Sequence, residues 1–295
     1  MSAQLVSVDS RNKLEDLSGI TINPGDNPYE VFMNACNDDH REIRALYDAH
    51  RTKRNALQRE KFLSADYKEL VIDQYLLRLE NPTIQPGFKD ERNYVWLMPT
   101  YRMHLTALEV AFSKTPQEIE ALVSTLRSAI PAITSYTHLH RSRLVRPLIS
   151  YDLSAFAVSF LPAAGDKVLS PPPAGVDTTQ TITGGDEYTY HHLRRDLFDK
   201  VQDAGVEVGS RYQVPSAHIT LGRYLSEKDH DTPEKRKRWV EAIDEVNKWL
   251  MEEVWDKEDA EFTGEWIVGQ EKGLDARNGT LWYGGGRTIL LGEGF

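Results

Sequence analysis

The hydrophobic period of this chain changes near residue 80, and this change restricts the possible fold more than any other feature of the sequence. Residues 28–80 place apolar side chains three and four positions apart, which predicts helices, with Ser64 and Asp66 suited to cap one of them. Asn81 and Pro82 then end the helical pattern. Beyond them the apolar residues alternate with polar ones, which predicts strands in the segments YVWLMP, YRMHLTALEV, LISYDLSAFAVSF, SAHITLGRY, EWIVGQ, TLWYG and RTILLG.

Helical patterns also fall between these predicted strands, at residues 115–130, 187–206 and 232–255. The sequence therefore predicts an α+β protein, with an N-terminal helical extension at 1–90 and a strand-rich body at 91–295. Residues 162–186 are rich in Pro, Gly, Thr and Asp, and they predict a long surface loop that separates the body into two halves. The GGGR segment at 284–287 predicts a hairpin turn between TLWY and TILLG.

Composition narrows the classes of function. A chain of 295 residues with 40% hydrophobic residues can bury a substantial core. Its net charge of −10 argues against an extended nucleic-acid surface. The sequence shows neither a secretory signal nor a long apolar run, so we expect an intracellular protein, cytoplasmic or nuclear, that does not contact a membrane. The single cysteine, Cys36, is expected to be a small buried hydrophobe.

Two short segments are locally basic, at residues 138–146 and 190–196. They allow two interpretations. Together they can line one electropositive pocket on an acidic body, or each can be ordinary solvated surface charge.

The pattern His-x-Thr occurs in two of the predicted strands. Residues two apart in a strand project from the same face, so His104 points with Thr106 and His218 points with Thr220. The residues between and after them face the other way and are expected in the core: Leu105, Ala107, Ile219 and Leu221. If the two halves of the body pack face to face, the four polar side chains meet in one cleft.

Such a cleft suits chemistry at a phosphodiester. In-line displacement at phosphorus needs one group that activates the attacking water and another that protonates the leaving oxygen. Two imidazoles supply both, since their pKa lies near neutral pH. Threonine hydroxyls can donate hydrogen bonds to the non-bridging oxygens. This mechanism requires no metal and no cofactor.

A third His-x-Thr match, at His230 and Thr232, lies in a charged segment just before a helix. There Thr232 is expected to cap the helix, with Glu234 close by, so this match is interpreted as structural. The first two matches differ from it because both lie in apolar segments and in different halves of the body.

The motifs HLTAL at His104 and HITLG at His218 resemble those of the two-histidine (2H) phosphoesterase superfamily, the LigT-like cyclic phosphodiesterases. The resemblance covers roughly residues 90–295. It implies a bilobal fold, in which two pseudo-symmetric lobes of strands and helices surround a central cleft. It also implies metal-independent opening of 2′,3′-cyclic phosphates, or related reactions on 2′-5′ linkages, by a site made of His104, Thr106, His218 and Thr220.

The chain departs from the family pattern at its start. The first motif usually lies early in the chain, whereas here a long helical region precedes it. We expect these helices either to cap the cleft or to alter the choice of substrate. By resemblance, His104 protonates the leaving group and His218 activates water, or the two roles are exchanged, because the sequence does not orient the substrate.

Strand alternation adds further candidates. Arg102 shares a face with His104 and is expected to contact phosphate, or else to form a surface ion pair. Tyr224 shares a face with His218 and is expected to stack on a base, or else to be a core aromatic. Arg223 faces the wrong way unless a bulge intervenes. His138 and His140 have no third ligand nearby in the sequence, so no metal site is expected.

The leading hypothesis is a phosphodiesterase acting on a small cyclic nucleotide or on the cyclic phosphate end of an RNA. The first alternative is a non-catalytic module that binds nucleotide or RNA in the same cleft and engages a protein partner through its N-terminal helices. The second is a structural protein whose histidines are ordinary core residues.

Overall fold

The computed structural model describes residues 19–23, 25–80, 95–169, 186–210, 212–279 and 283–295. Within these ranges lie helices α1 (Pro28–Ala35), α2 (His40–Leu63), α3 (Gln74–Glu80), α4 (Pro116–Leu126), α5 (Ile130–Thr134), α6 (Tyr190–Asp203) and α7 (Pro233–Trp249). Short 3-10 turns occupy Thr100–Arg102 and Tyr136–His138, and a π turn at Leu250–Val254 continues α7.

The strands form two antiparallel sheets. They are β1 (Val95–Leu97), β2 (Arg143–Tyr151), β3 (Ala155–Pro162), β4 (Ala217–Tyr224), β5 (Glu265–Ile267), β6 (Asp275–Asn278) and β7 (Arg287–Leu291). The larger sheet has the order β1-β4-β3-β2-β5, and β6 pairs with β7 in the smaller one. The predicted α+β class is confirmed.

The N-terminal helices form part of the same core as the sheet. Helix α1 begins after Asn27, whose side chain accepts hydrogen bonds from two backbone N–H groups, and α2 begins after Asp39. Their apolar faces pack with β2, β3, β4 and α6 in one cluster that includes Phe32, Met33, Ile43, Tyr47, Leu144, Leu161, Leu193 and Ala217. The predicted domain boundary at 90/91 lies outside the described residues.

The predicted start of the helix after α2 is wrong. Ser64 and Asp66 do not begin a helix, because residues 64–73 have no regular structure and the N–H of Val71 donates to the carbonyl of Leu153. Helix α3 begins only at Gln74, where the carboxylate of Asp73 accepts hydrogen bonds from the first turn. Tertiary pairing therefore overrides the helical spacing at this point.

Three of the other predicted strands are present in the structure, and one predicted segment is a hairpin. The strands at SAHITLGRY, EWIVGQ and RTILLG are confirmed as β4, β5 and β7. LISYDLSAFAVSF contains a hairpin, because Asp152 accepts hydrogen bonds from the N–H groups of Ser154 and Ala155 and turns the chain between β2 and β3. The partner of β7 is β6, which the alternation did not predict. Residues 280–282 of TLWYG and 170–185 of the predicted loop lie outside the described residues.

Two predictions from the sequence concern Cys36 and membrane-spanning helices. Cys36 is 1% exposed within the core shared by α1 and the sheet, and burial together with Glu42 and Asp39 raises the pKa of its thiol to about 11. It is therefore the small buried hydrophobe expected. None of the helices within the described ranges has the length and apolar character needed to cross a membrane.

Candidate active site

The two His-x-Thr motifs meet at one antiparallel bridge, which joins their middle residues, Leu105 and Ile219. The chain arrives at this bridge from β1, which pairs with the end of β4. The N–H of Met98 donates to the carbonyl of Leu221 at 2.8 Å, and the 3-10 turn at Thr100–Arg102 follows. The first motif therefore lies along the edge of β4.

The strand predicted over residues 101–110 is wrong, since only Leu105 is bridged and its neighbours have no regular pairing. Pro99 explains the interruption. It has no N–H for the ladder, and its φ of −56° suits the 3-10 turn that begins after it. The backbone is extended again at Met103, so the motif regains the strand conformation just before the bridge.

The bridge brings the four polar motif residues to one face. Leu105 packs against the core cluster, so its neighbours His104 and Thr106 project from the opposite side. Antiparallel pairing about Leu105 and Ile219 sets His104 across from Thr220 and Thr106 across from His218. Thr106 and His218 border the same small cavity of ≈ 10 Å³, and so does Leu105.

His104 is half-buried and held by its own chain. Its Nδ1 lies 2.9 Å from the carbonyl oxygen of Arg102. Because a carbonyl oxygen can only accept, Nδ1 carries a hydrogen and donates it. The hydrogen bond fixes the orientation of the ring and leaves Nε2 as the nitrogen that can exchange a proton with a bound group.

His218 has a different environment. Its Nδ1 lies 3.0 Å from the hydroxyl oxygen of Ser216, and the ring of Tyr212 packs beside it with centroids 6.2 Å apart. Burial, together with the positive charges of Arg54 and Arg194, lowers the pKa of His218 to about 4. The charge of His104 acts in the same direction. His218 is therefore neutral at physiological pH.

Arg194 ties both motifs to helix α6. Its guanidinium donates to the carbonyl of Ala107 at 3.2 Å, just after the first motif, and to the carbonyl of Val214 at 2.9 Å, just before β4. A third hydrogen bond reaches the hydroxyl of Tyr29 at 3.1 Å. The side chain is 1% exposed, and among the described residues no carboxylate lies within ion-pair distance of it.

Arg194 also borders the small cavity that contains Thr106 and His218. A buried cation whose partners are all neutral is costly unless an anion compensates it. Here the cation is stabilised instead by three oxygen acceptors and by the rings of Tyr29 (4.4 Å) and Tyr190 (5.7 Å), so Arg194 keeps its positive charge beside the motifs. Sequence reasoning had not named this residue, although it lies in the basic segment 190–196.

A bulge in β4 reverses the predicted roles of Arg223 and Tyr224. Thr220 pairs with Ala157 and Gly222 pairs with Phe156, so one residue of β4, Leu221, has no counterpart in β3. Alternation resumes on the opposite face after this extra residue. Arg223 therefore borders the larger cavity, together with Thr220.

Tyr224, in contrast, does not contact the site. Its side chain is 0% exposed and packs with Phe62, Tyr151 and Trp239 in a separate aromatic cluster. The prediction that Tyr224 stacks on a base is wrong, and the alternative of a core aromatic is confirmed.

Arg102 does not share a strand face with His104, because it belongs to the 3-10 turn. Its guanidinium lies 5.5 Å from the ring centroid of the exposed Tyr101. Arg102 borders neither of the two cavities at the motifs, and its carbonyl, rather than its charge, serves the site through His104.

The larger cavity, of ≈ 110 Å³, lies between α2 and the strands β3 and β4. Helix α2 contributes His50, Arg51 and Arg54 to its wall, and β4 contributes His218 and Thr220. The N-terminal helical region therefore covers one side of the second motif. This position bears on the expectation that these helices cap the cleft.

The remaining candidates are placed elsewhere. Arg143 forms buried ion pairs with Asp186 and Glu265, and residues 138–146 border neither cavity, so the two basic segments do not form one pocket. His138 contacts the carbonyl of Gly294, and His140 stacks on a neighbouring tyrosine. Within the described ranges no group of three His, Cys, Asp or Glu side chains is arranged to hold a metal ion.

The third His-x-Thr match is structural, as predicted. The hydroxyl of Thr232 accepts a hydrogen bond from the N–H of Lys235 at the start of α7. His230 is 1% exposed and packs against the rings of Phe62 and Trp239, away from the two cavities.

His218 and Thr106 thus share one small cavity with the buried guanidinium of Arg194, Thr220 borders the larger cavity, and His104, which precedes the bridge at Leu105, borders neither. This set can bind an anion and move protons on two sides of it. No family model, curated protein or solved structure matches the chain. Its function is therefore inferred from the geometry of the site.

Proposed function

We propose that this protein is a metal-independent phosphodiesterase that hydrolyses the 2′,3′-cyclic phosphate of a nucleotide or an RNA end. The proposal includes the bilobal two-histidine phosphoesterase fold that the motifs resemble. The observation that supports it is the bridge between Leu105 and Ile219, which sets the two His-x-Thr motifs side by side.

In the proposed reaction, Nε2 of neutral His218 accepts a proton from water as the water oxygen attacks phosphorus. The bond from phosphorus to one ribose oxygen breaks, and His104, in its imidazolium form with a hydrogen on both ring nitrogens, protonates that oxygen from Nε2. The hydroxyls of Thr106 and Thr220 donate hydrogen bonds to the non-bridging oxygens, where negative charge develops. The product is a phosphomonoester, and proton exchange with water restores both rings.

The electrostatics of the site support this division of roles. A pKa of about 4 keeps His218 neutral at physiological pH, as a base requires. The backbone hydrogen bond at Nδ1 of His104 presents Nε2 for the other proton transfer. The charge of Arg194, which borders the small cavity beside Thr106, adds a positive field near the place proposed for the phosphate.

Hydrolysis of the four 2′,3′-cyclic mononucleotides in excess EDTA tests the proposal, with the products resolved as 2′- or 3′-phosphates. We expect turnover by the wild type and none above background by a folded His104→Ala/His218→Ala double variant. Turnover that survives in the double variant would refute the mechanism, and His138→Ala serves as a control for the loss of a histidine outside the site.

One observation favours the alternative of a nucleotide- or RNA-binding module. A base with a pKa of about 4 is weak, and His218 is oriented by a serine hydroxyl rather than by a carboxylate that would raise its basicity. Tight binding of a cyclic nucleotide without hydrolysis, with both histidines intact, would identify the module.

A further inference from the structure

We propose that the cavity between α2 and strands β3 and β4 is a base subsite that accepts one six-membered ring, so that the preferred substrate is a pyrimidine 2′,3′-cyclic phosphate. This inference rests on the proposed function for the reacting group. It adds the identity of the base, which the motifs do not specify.

The position of the cavity links it to the reacting group. His218 and Thr220 form part of its wall, so the cavity opens directly onto the place proposed for the phosphate. His218 also borders the smaller cavity beside Thr106 and therefore stands between the two spaces. A nucleotide whose phosphate contacts the motifs can direct its base into the larger space under α2.

The size of the cavity selects for a single ring. Its volume is ≈ 110 Å³, which is below the about 150 Å³ of an engineered protein cavity that binds benzene. A planar ring enters such a space edge-first with part of its surface facing the opening. A purine adds a second fused ring, which must either displace a wall or project through the opening, where it loses contact with the walls.

The wall formed by α2 is anchored against such movement. The guanidinium of Arg54 pairs with the carboxylate of Asp152 at 2.6 Å. One turn earlier, Arg51 donates to the carbonyl of Arg146 at 2.8 Å. Both residues connect α2 to the β2–β3 hairpin across the cavity, so widening the space would break at least one of these contacts.

The chemistry of the walls also suits a base rather than a second phosphate. The rings of Tyr212 and Phe160 supply apolar surface for stacking. Arg54 and Ser150 border the same space and can donate to the ring carbonyl oxygen that uracil and cytosine share. The charges of Arg51 and Arg54 are already paired with Asp48 and Asp152, so they do not call for another anion.

The test compares kcat/KM for the 2′,3′-cyclic phosphates of uridine, cytidine, adenosine and guanosine. We expect both pyrimidines to exceed both purines by about tenfold or more, the discrimination typical of a pocket that excludes added apolar bulk. Equal values, or a preference for purines, would overturn the base subsite while leaving the proposed chemistry intact.

Binding measurements separate a failure of the base subsite from a failure of the proposed hydrolysis. If no cyclic nucleotide is hydrolysed, the chemistry fails, and the affinities of uridine 3′-phosphate and adenosine 3′-phosphate then decide the subsite alone. Tighter binding of the uridine compound supports the subsite, and equal or weaker binding refutes it.

A variant that fills the cavity isolates the subsite from the reaction. Ala157 borders the cavity and pairs with Thr220, so Ala157→Leu places added bulk where the base is proposed to bind. We expect at least a tenfold loss of kcat/KM for cyclic uridine phosphate. A base-free substrate, methyl riboside 2,3-cyclic phosphate, should lose much less, because the bulk beside Thr220 affects both substrates and only the nucleotide also loses its base contacts.

Val158→Ile is the matched control, because Val158 follows Ala157 in β3, pairs with Ile219 and faces away from the cavity. It should leave both substrates unaffected. Equal losses for the two substrates in folded Ala157→Leu, or no loss for either, would contradict the assignment of the cavity to the base.

Discussion

The two His-x-Thr motifs share a pattern but are held in place in different ways. The second lies in β4, an inner strand with β3 on one side and β1 on the other. The first has a single bridge, at Leu105, after a 3-10 turn at the sheet edge. The two motifs therefore lie side by side although only the second belongs to a regular strand.

Contacts from α6 hold the first motif in position, whereas the sheet holds the second. The hydroxyl of Tyr190 donates to the carbonyl of Thr106 at 2.8 Å, and Arg194 donates to the carbonyl of Ala107. The difference extends to the imidazoles. His218 is neutral with a pKa of about 4, and His104 is fixed by a backbone carbonyl with Nε2 directed away from it. The two imidazoles therefore have different environments, which suits one acid and one base.

The largest expected effect separates the acid from the base. His104→Ala and His218→Ala should each lower kcat on cyclic nucleotides by about a hundred to ten thousand fold, the usual worth of one proton transfer. A 4-nitrophenyl phosphodiester has a leaving group that needs no protonation. His104→Ala should therefore recover most of its rate on that substrate, and His218→Ala should not.

The reverse pattern would exchange the two roles while keeping the site. Equal losses on both substrates for both variants would remove the distinction between the motifs. Circular dichroism of each variant confirms that the comparison is made between folded proteins.

Arg194→Gln should have the next largest effect, because it removes the residue that joins the two motif segments. The shorter neutral side chain leaves buried carbonyls without donors, which typically costs about 1–3 kcal/mol each. Loss of the nearby charge should also raise the pKa of His218. Urea denaturation measures the first change, and NMR titration of the imidazole measures the second.

Lys200→Gln, on the same helix, controls for the loss of a positive charge outside the site. It should alter neither the stability nor the titration of His218 appreciably. An unchanged pKa of His218 in Arg194→Gln would show that the guanidinium does not act on the second motif.

A smaller effect tests the bulge in β4. Arg223→Gln should reduce kcat/KM about tenfold, because Arg223 borders the cavity next to Thr220. Tyr224→Phe should leave kcat/KM unchanged, since Tyr224 is buried in the separate aromatic cluster. A stronger effect from Tyr224→Phe than from Arg223→Gln would contradict the reversal of faces at Leu221.

The last expected effect concerns stability in acid and does not involve activity. Burial is the main cause that lowers the pKa of both His218 and His230 to about 4. Between pH 6.5 and 4 the unfolded chain therefore binds protons that the folded protein does not, so the free energy of unfolding falls as pH drops through this window. Replacing both histidines with Gln should reduce the slope of this part of the profile, to which His191 and His192 also contribute because burial lowers their pKa values. Urea denaturation at pH 7 and pH 5 measures it, and an unchanged slope would count against the buried settings.

The sequence alone predicted the parts of the molecule that depend on local pattern. Helical spacing identified α2, α4, α6 and α7, and alternation identified β4, from which the shared face of His218 and Thr220 follows. The structural role of Thr232 was also predictable, because helix capping depends on a few neighbouring residues.

Features set by tertiary contacts were not predictable in the same way. Alternation counts residues, so the extra residue at Leu221 assigned Tyr224 and Arg223 to the wrong faces. The turn after Pro99 interrupted the strand predicted over residues 101–110, although Pro99 itself was a signal for it. Arg194 carries no local mark that distinguishes a buried guanidinium from a solvated one, and only its basic segment pointed to it.

The central claim is that His104 and His218 belong to one site. Imidazole NMR spectra recorded during a titration with uridine 3′-phosphate test it most directly, with the two resonances assigned from the single His→Ala variants. The imidazole resonances of His104 and His218 should shift together and yield a single Kd. Two different Kd values, or a shift of only one ring, would show that the paired motifs do not form a common binding site.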